Sequence, residues 1–405
     1  MKILILCNKP PYPAFEGGPM AMNSIVTGLL EAGHEVKILA VNSPKYNVSP
    51  DDIPEDYKQK TGIELIDVDL RVRPFQAFKN LFSSKSYHVE RFISKEFTNR
   101  LIEVLKADIY DVVQLETLFM TPYVETIRKY TKASIVLRAH NVEHLIWERI
   151  AKGTRFFLKR AYIKHLAKTL KNYELNAISQ VDGIAAITRK DAAFFRKYCA
   201  TTTVDIPFGV YPEEFTPNFE IEGKPTFYHI GSMNWMPNEE GIRWFIDDCM
   251  EAVVEKTPDF VFHLAGRHMP EWLRELKNPH VDVVGEVPNA QEFVANHDVA
   301  IVPLLSGSGI RIKIIESMAM GKTVITTQIG AEGILYDEDV NLIIAENKAK
   351  MAEAIRRINE NPASAVEIGK AARKLVEEVY DNRKLIERLL MFYQQIKPTS
   401  KITFV

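Results

Sequence analysis

The stretch that decides the fold is DVAIVPLLSGSGIRIKIIESMAMG, residues 298–321. Its first part is an apolar run, which predicts a strand buried on both faces of a parallel sheet. A loop of small residues at 306–309 follows, and a helical period begins directly after it. A strand, a glycine-rich turn and a helix in this order are typical of a doubly wound α/β domain.

The same turn carries groups suited to an anion. The unbonded N–H groups and the dipole of a helix N-terminus attract negative charge, and Arg311 and Lys313 add two cations. Glu316 follows about one turn beyond Lys313, where a carboxylate can accept hydrogen bonds from a ribose diol. The pattern predicts a nucleotide ligand. The alternative is that both cations are simply solvated, although the helix dipole disfavours them at this end.

The composition limits the number of domains, the kinds of partner and the cellular compartments that are consistent with this sequence. The chain has 405 residues, 46% hydrophobic and 26% charged, which fits two or three globular domains. Lysine and arginine total 51 against 53 acidic residues, so no bulk field favours nucleic acid. Cys7, Cys199 and Cys249 have no metal-binding spacing and suit a reducing compartment.

The first apolar run is too short for a signal peptide, and no run reaches the roughly 20 residues that span a bilayer. We expect a cytoplasmic protein, at most peripheral to the inner membrane face.

Strand-like apolar runs alternate with helical segments along the whole chain. The predicted strands are 2–7, 35–41, 63–68, 111–115, 133–138, 182–187, 202–206, 226–230, 260–265, 281–284, 298–302, 323–327 and 341–344. A stretch rich in proline and glycine at 207–225 reads as a linker. We therefore predict two Rossmann-like, doubly wound domains facing across a cleft, at 1–208 and 209–381. The helix at 382–397 is expected to pack back on the first domain.

Ligands of such sheets bind beyond the carboxyl ends of the strands. Gly17 and Gly18 follow the first strand and either approach a phosphate or form an ordinary turn before Pro19. No third glycine completes GxGxxG, so a dehydrogenase is disfavoured. His140 follows another strand, where it acts on a substrate or packs against Trp147.

Two further segments have competing interpretations. Asp67-Val68-Asp69 matches a metal-binding Asp-x-Asp, but two carboxylates alone are weak evidence, and alternation at a strand end is favoured. Residues 149–171 carry eight cations interleaved with aromatic and aliphatic residues and no acidic residue. This pattern predicts either a helix lying on an anionic membrane or a solvated face above a core stripe.

Taken together, these motifs resemble the retaining glycosyltransferases of family 4, also called group 1, which have the GT-B fold. The resemblance rests on GSMNWMPN at 231–238, GSGIRIKIIESMAMGKTV at 307–324 and TQIGAEG at 327–333. In the first half it rests on Gly17-Gly18 and on RAHNVE at 138–143. It covers most of the chain.

The resemblance implies transfer of a sugar from a nucleotide diphosphate sugar to an acceptor hydroxyl, with retention and without a metal or other cofactor. It assigns the diphosphate to Arg311 and Lys313, the ribose to Glu316, and the transferred sugar to His140. The other donor-binding residues that it implies are Gly17, Gly18, Gly231, Val287, Ser308 and Gly309. It also implies a UDP- or GDP-sugar donor and a glycan or lipid-linked acceptor, as in bacterial surface polysaccharide assembly.

The sequence departs from the family pattern in two places. Ser308 stands where many members have the first of two glutamates, so only Glu316 remains. The loop at 232–238 lacks the basic pair of many members, and Arg311 is the candidate substitute. Two alternatives stay open: a GT-B hydrolase or epimerase acting on nucleotide sugars, which would need a carboxylate pair, and a catalytically silent sugar-nucleotide-binding partner.

Overall fold

The computed structural model describes residues 1–14, 17–73, 80, 81, 83–307, 309–396 and 398. These residues form two compact units. The first comprises residues 1–207 together with the last helix from Leu385 onwards, and the second comprises Phe208–Lys384. Every predicted strand is present, with its ends within two residues of the prediction.

The first unit is built on a seven-stranded parallel sheet. Its strands are β1 (Lys2–Cys7), β2 (Glu35–Asn42), β3 (Glu64–Asp67), β4 (Val112–Glu116), β5 (Ser134–Ala139), β6 (Gly183–Ala186) and β7 (Thr202–Asp205). Its helices are α1 (Gly17–Glu31), α2 (Glu55–Thr61), α3 (Tyr87–Glu90), α4 (Lys95–Ala107), α5 (Val124–Tyr130), α6 (Glu143–Gly153), α7 (Phe157–Ala177) and α8 (Arg189–Tyr198). Short 3₁₀ turns occupy Pro50–Asp52 and Leu118–Tyr123.

Both faces of this sheet are buried, which explains its continuous apolar strands. Leu4 and Leu6 of β1 belong to the core on one face, whereas Ile3 and Ile5 belong to the core on the other. Alternate residues of a strand point to opposite faces, so one strand supplies both cores.

The last helix completes the second of these cores. Leu385, Leu389 and Phe392 pack with the residues of β1 and β2 that face that side. A Cβ atom at Gly183 would lie 2.7 Å from the Phe392 ring, so β6 needs glycine at this point for the helix to approach.

The second unit contains a six-stranded parallel sheet. Its strands are β8 (Phe227–Ile230), β9 (Phe262–Ala265), β10 (Val281–Gly285), β11 (Val299–Val302), β12 (Thr323–Thr326) and β13 (Ile343–Ile344). Its helices are α9 (Met236–Trp244), α10 (Met250–Lys256), α11 (Glu271–Arg274), α12 (Ala290–Ala295), α13 (Ile312–Ala319), α14 (Lys348–Glu360) and α15 (Pro362–Leu375). The last helix of the chain, α16, is Asn382–Gln395, and it belongs to the first unit from Leu385 onwards. A 3₁₀ turn at Pro212–Glu214 and π-helical turns at Phe245–Cys249 and Val376–Tyr380 complete it.

The strand order of each sheet indicates where a ligand would bind. The orders are β3-β2-β1-β4-β5-β6-β7 and β10-β9-β8-β11-β12-β13, which confirms the predicted doubly wound α/β class. Strand order reverses between β1 and β4 in the first unit and between β8 and β11 in the second. Ligands of open α/β sheets bind at the carboxyl ends of the strands flanking such a reversal.

The Asp-x-Asp segment has local partners. Asp67 ends β3 and accepts a hydrogen bond of 2.9 Å from Asn42 Nδ2. Asp69 pairs with the Arg71 and Arg73 guanidinium groups, which hold the pKa of its carboxyl well below the usual range. These contacts support the strand-end interpretation.

None of the helices in the described part of the chain is both long enough and apolar enough to cross a membrane.

Candidate functional site

The N-terminus of α13 lies directly beyond the carboxyl end of β11. Arg311 is the N-cap residue, and its side chain makes no capping hydrogen bond. The first N–H groups of this helix therefore lack the side-chain partner that serine or aspartate would supply. The positive end of the helix and the Arg311 and Lys313 side chains converge at this place, which suits an anion. Ser308, predicted to contribute here, lies outside the described residues.

Lys313 is held by two residues from distant parts of the second unit. Its amine donates to Asn238 Oδ1 at 2.7 Å and to His229 Nε2 at 3.3 Å. His229 Nδ1 in turn donates to the Ile301 carbonyl at 2.8 Å, which leaves Nε2 as an acceptor for the amine. His229 and Asn238 are both buried, so the position of the amine is fixed from two sides.

Burial changes the ionisation of these groups. It lowers the pKa of Lys313 to about 7, and the nearby Arg311 charge acts in the same direction, while Glu316 opposes it. Burial raises the pKa of Glu316, and Lys313 partly offsets that rise. The pKa of His229 lies well below its usual value because of burial and the Lys313 charge, so this imidazole is neutral. A bound anion would relieve the crowding of positive charge.

Gly231, at the carboxyl end of β8, leaves the space that the Lys313 amine occupies. A Cβ atom at this position would lie 2.5 Å from Lys313 Nζ and 2.9 Å from Asn238 Nδ2. An alanine here would displace the amine, so Gly231 shapes the site through its missing side chain.

Arg311 lies beside the loop at 232–238. Its guanidinium carbon is 5.5 Å from the centre of the Trp235 ring, and its Nη1 donates to the Gly309 carbonyl. Gly307 and Gly309 both have positive φ angles, of 105° and 82°, which fold the turn back toward this arginine. Arg311 is 4% exposed. The structure thus places a cation beside a loop that has none of its own.

Val287 lies between β10 and α12, just beyond the carboxyl end of β10. The last residue of β10, Gly285, accepts a 2.7 Å hydrogen bond from Gly266, which follows β9. Val287 therefore belongs to the same edge of the sheet as Gly231 and Arg311.

In the first unit, the predicted residues also lie at the carboxyl edge. His140 follows β5, and its Nε2 donates to Glu116 Oε2 at 2.6 Å. Gly17 and Gly18 begin α1, and a Cβ atom at Gly18 would lie 2.7 Å from Lys9 Nζ. A lysine ammonium therefore accompanies this helix N-terminus as well. Trp147, the alternative packing partner of His140, has the His88 ring 4.0 Å away between ring centres, tilted by 31°.

Four residues that the sequence analysis did not single out join these sites: Asn238, His229, Glu116 and Lys9. Asn238 was quoted within GSMNWMPN, but its contact with Lys313 crosses 75 positions. Glu116 is the last residue of β4, and a charged residue at the carboxyl end of a buried strand is the signal that the sequence offered. Contacts between strands depend on register, which the sequence does not reveal.

The basic segment at residues 149–171 forms the end of α6, a short connection and most of α7. Phe156, Phe157 and Leu158 are about 60% exposed, at 60%, 63% and 58%. The exposed cations around them are Lys152, Arg155, Lys159, Arg160, Lys164 and Lys168. Ile163, Leu166 and Leu170 of α7 are buried in the unit. The helix therefore has a core stripe, and the aromatic tip is not part of it.

Comparisons with known proteins agree with this geometry. Residues 224–361 match the sequence model of the family described as glycosyl transferases group 1. Over 401 residues the chain is 23% identical to an uncharacterised 44.6 kDa protein of the Klebsiella pneumoniae cps region, covering 96% of this chain and 98% of that one. Over 235 residues it is 29% identical to Bacillus subtilis TuaC, named as a candidate teichuronic acid biosynthesis glycosyltransferase, covering 55% and 59%.

Solved structures share the whole architecture. Sucrose-phosphate synthase from Thermosynechococcus elongatus superposes with a TM-score of 0.68 at 15% identity, covering 98% of this chain and 99% of that one. HepE from Anabaena in complex with UDP-glucose gives a TM-score of 0.67 at 11% identity, covering 98% and 100%. At these identities the likeness establishes the fold. The chain therefore has the GT-B fold, and its residues 224–361 are similar to the group 1 glycosyltransferases.

Proposed function

We propose that the protein is a retaining, metal-independent glycosyltransferase that moves a hexose from a nucleotide diphosphate sugar to an acceptor hydroxyl. The observation that carries the proposal is the placement of Arg311 and Lys313 at the N-terminus of α13, where the side chain of the N-cap residue makes no capping hydrogen bond. Leaving-group departure leaves negative charge on the diphosphate. Two fixed cations and a helix N-terminus stabilise that charge without a bound metal.

The remaining groups of the second unit suit the rest of a nucleotide. Glu316 lies one turn beyond Lys313 on α13 and binds the ribose diol, since a carboxylate accepts hydrogen bonds from two hydroxyls. Val287 offers main-chain groups to the base. His140, with Gly17 and Gly18, belongs to the first unit and is assigned to the transferred sugar and the acceptor side, as the family resemblance implies.

A UDP-sugar is the favoured donor, with a GDP-sugar as the other candidate. HepE has been solved with UDP and with UDP-glucose, and a trehalose-6-phosphate structure from Escherichia coli holds UDP-2-fluoro glucose. These proteins share the fold of this chain at low identity, so they support the choice of donor by analogy.

The acceptor is a growing surface glycan or its lipid-linked precursor. The similar proteins from the cps region of Klebsiella pneumoniae and from teichuronic acid biosynthesis support this assignment. The exposed tip of Phe156, Phe157 and Leu158, surrounded by cations, would hold the enzyme on an anionic bilayer, which we place at the cytoplasmic face.

Replacing Arg311 with alanine should lower turnover about 10²–10³-fold, as expected when one electrostatic stabiliser of a leaving group is lost. Release of UDP from UDP-hexoses, with and without acceptor glycan, measures the effect. Arg356→Ala is the matched control, because Arg356 lies on α14, away from the N-terminus of α13, and forms ion pairs with Glu353 and Glu360. Unchanged turnover in Arg311→Ala would contradict the site. UDP release without transfer to any acceptor would instead favour a hydrolase.

The affinity for UDP should fall as pH rises above 7. The free Lys313 amine loses its proton near pH 7, and the diphosphate binds the protonated form better. Binding therefore takes up a proton, and affinity should drop about tenfold between pH 7.5 and 9. The phosphate itself titrates near pH 6, below this window. Calorimetry in buffers of different ionisation enthalpy measures both effects. In Lys313→Arg the side chain stays charged, so a persisting slope there would assign the titration to another group.

The variant carrying Phe156→Ser, Phe157→Ser and Leu158→Ser should lose binding to vesicles. Co-sedimentation with phosphatidylcholine containing 30% phosphatidylglycerol, against phosphatidylcholine alone, measures this loss. Wild-type binding should need the anionic lipid and weaken with salt, because surface charges are screened over about 10 Å at 0.1 M. Ile109→Ser removes an 86% exposed side chain elsewhere in the same unit and serves as the control. Equal binding by both variants would exclude this surface.

A further inference from the structure

A chain of buried polar side chains leads to His140 inside the first unit. His140 Nε2 lies 2.6 Å from Glu116 Oε2, and Glu116 Oε1 accepts a 2.6 Å hydrogen bond from Gln114 Nε2. Gln114 Oε1 accepts from the Tyr393 hydroxyl. Glu116 and Gln114 are fully buried, and Tyr393 is nearly so. A buried carboxylate is costly, so this one needs both of its partners.

Three separate parts of the fold contribute residues to this series of hydrogen-bonded side chains. Gln114 and Glu116 are two residues apart on β4 and therefore point to the same face of the sheet. His140 follows the neighbouring strand β5, and Tyr393 comes from the last helix, α16. This arrangement gives α16 a link to the site in addition to its apolar packing.

Arg138 supplies the compensating charge. It is paired with Glu116 in the register of β4 and β5, and it is fully buried. Its Nη1 donates to the Ile206 carbonyl at 2.9 Å, so it is held without binding the carboxylate directly. Burial lowers the pKa of Arg138, and the charge of Glu116 opposes that shift. Both oxygens of Glu116 thus remain available to Gln114 and His140.

The direction of each hydrogen bond in this series follows from the donors and acceptors at its two ends, Tyr393 and the Glu116–His140 pair. Tyr393 donates to Gln114 Oε1, which turns the Gln114 amide so that its NH₂ group faces Glu116. The carboxylate can only accept, so its other oxygen accepts a hydrogen bond from His140 Nε2–H. The imidazole is therefore held with its proton on Nε2, and Nδ1 is the ring nitrogen that remains for a substrate.

We propose that Glu116 is a positioning residue that sets the tautomer and the orientation of His140, with Gln114 and Tyr393 fixing Glu116 in turn. The catalytic consequence rests on the proposed function, since His140 acts on the transferred sugar only if the protein is a glycosyltransferase. The tautomer itself is a property of the protein alone and can be measured without any substrate.

Glu116→Gln gives a sharp test as long as Tyr393 still donates to Gln114, which is favoured because an accepting Tyr393 would leave its own buried proton without this partner. Gln114 then still presents NH₂, so the new amide turns its oxygen toward Gln114 and its own NH₂ toward His140. His140 Nε2 then has to accept, and the proton moves to Nδ1. Adding Tyr393→Phe releases the Gln114 amide, which can flip and restore the original direction.

The experiment is ¹⁵N NMR of histidine-labelled full-length protein, with His140→Ala identifying the resonances. The wild type should show the Nε2–H form, Glu116→Gln the Nδ1–H form, and Glu116→Gln with Tyr393→Phe a return toward Nε2–H. Asp182→Asn is the control. Asp182 is a buried carboxylate at the amino end of β6, where it accepts from Arg128 and from the Ile135 N–H. An Nδ1–H form in the wild type, or no change in Glu116→Gln, would overturn the proposal.

Turnover is the second readout. UDP release from UDP-hexoses should fall about 10²-fold in kcat for Glu116→Gln, within the range for a positioned group. In a His140→Ala background the same substitution should add nothing, because Glu116 acts through His140. An additional loss there would contradict a positioning role. A correct tautomer switch with no turnover in the wild type would retain the positioning of His140 and reject the proposed function.

Discussion

The crowding of positive charge at the N-terminus of α13 is the constraint on which the rest of the site depends. Arg311 and Lys313 meet there at the positive end of the helix, and both are withdrawn from water far enough to alter the ionisation of Lys313. Like charges at the positive end of a dipole are unfavourable in the absence of an anion. Asn238, His229 and Gly231 hold the amine in place against this cost. The second unit thus holds these cations in an arrangement that suits an anion.

Both units place polar side chains at the carboxyl edge of their sheet, but they use different residues to do so. Parallel sheets place polar side chains beyond the carboxyl ends of their strands, and both units concentrate theirs where strand order reverses. In the second unit this edge carries two cations and Glu316. In the first it carries a histidine and its buried carboxylate, Glu116.

Much of this could be predicted from the sequence, for identifiable reasons. Strands buried on both faces are continuous apolar runs, so the sequence predicted β1 with its exact bounds and β11 to within one residue at its start. Arg311, Lys313 and Glu316 were recognisable as a group because one helix carries all three. The pairs Lys313–Asn238 and His140–Glu116 were not, since they join residues 75 and 24 positions apart. The first pair depends on how two helices pack, and the second depends on the register of β4 and β5.

The most direct test of the account is a crystal structure of the protein with UDP. We predict the diphosphate at the N-terminus of α13, with phosphate oxygens about 2.7–3.2 Å from the Arg311 and Lys313 side chains, and the ribose hydroxyls on Glu316. The amine of Lys313 should keep Asn238 as a partner. UDP bound elsewhere in the second unit, or at the N-terminus of α1, would contradict the central claim.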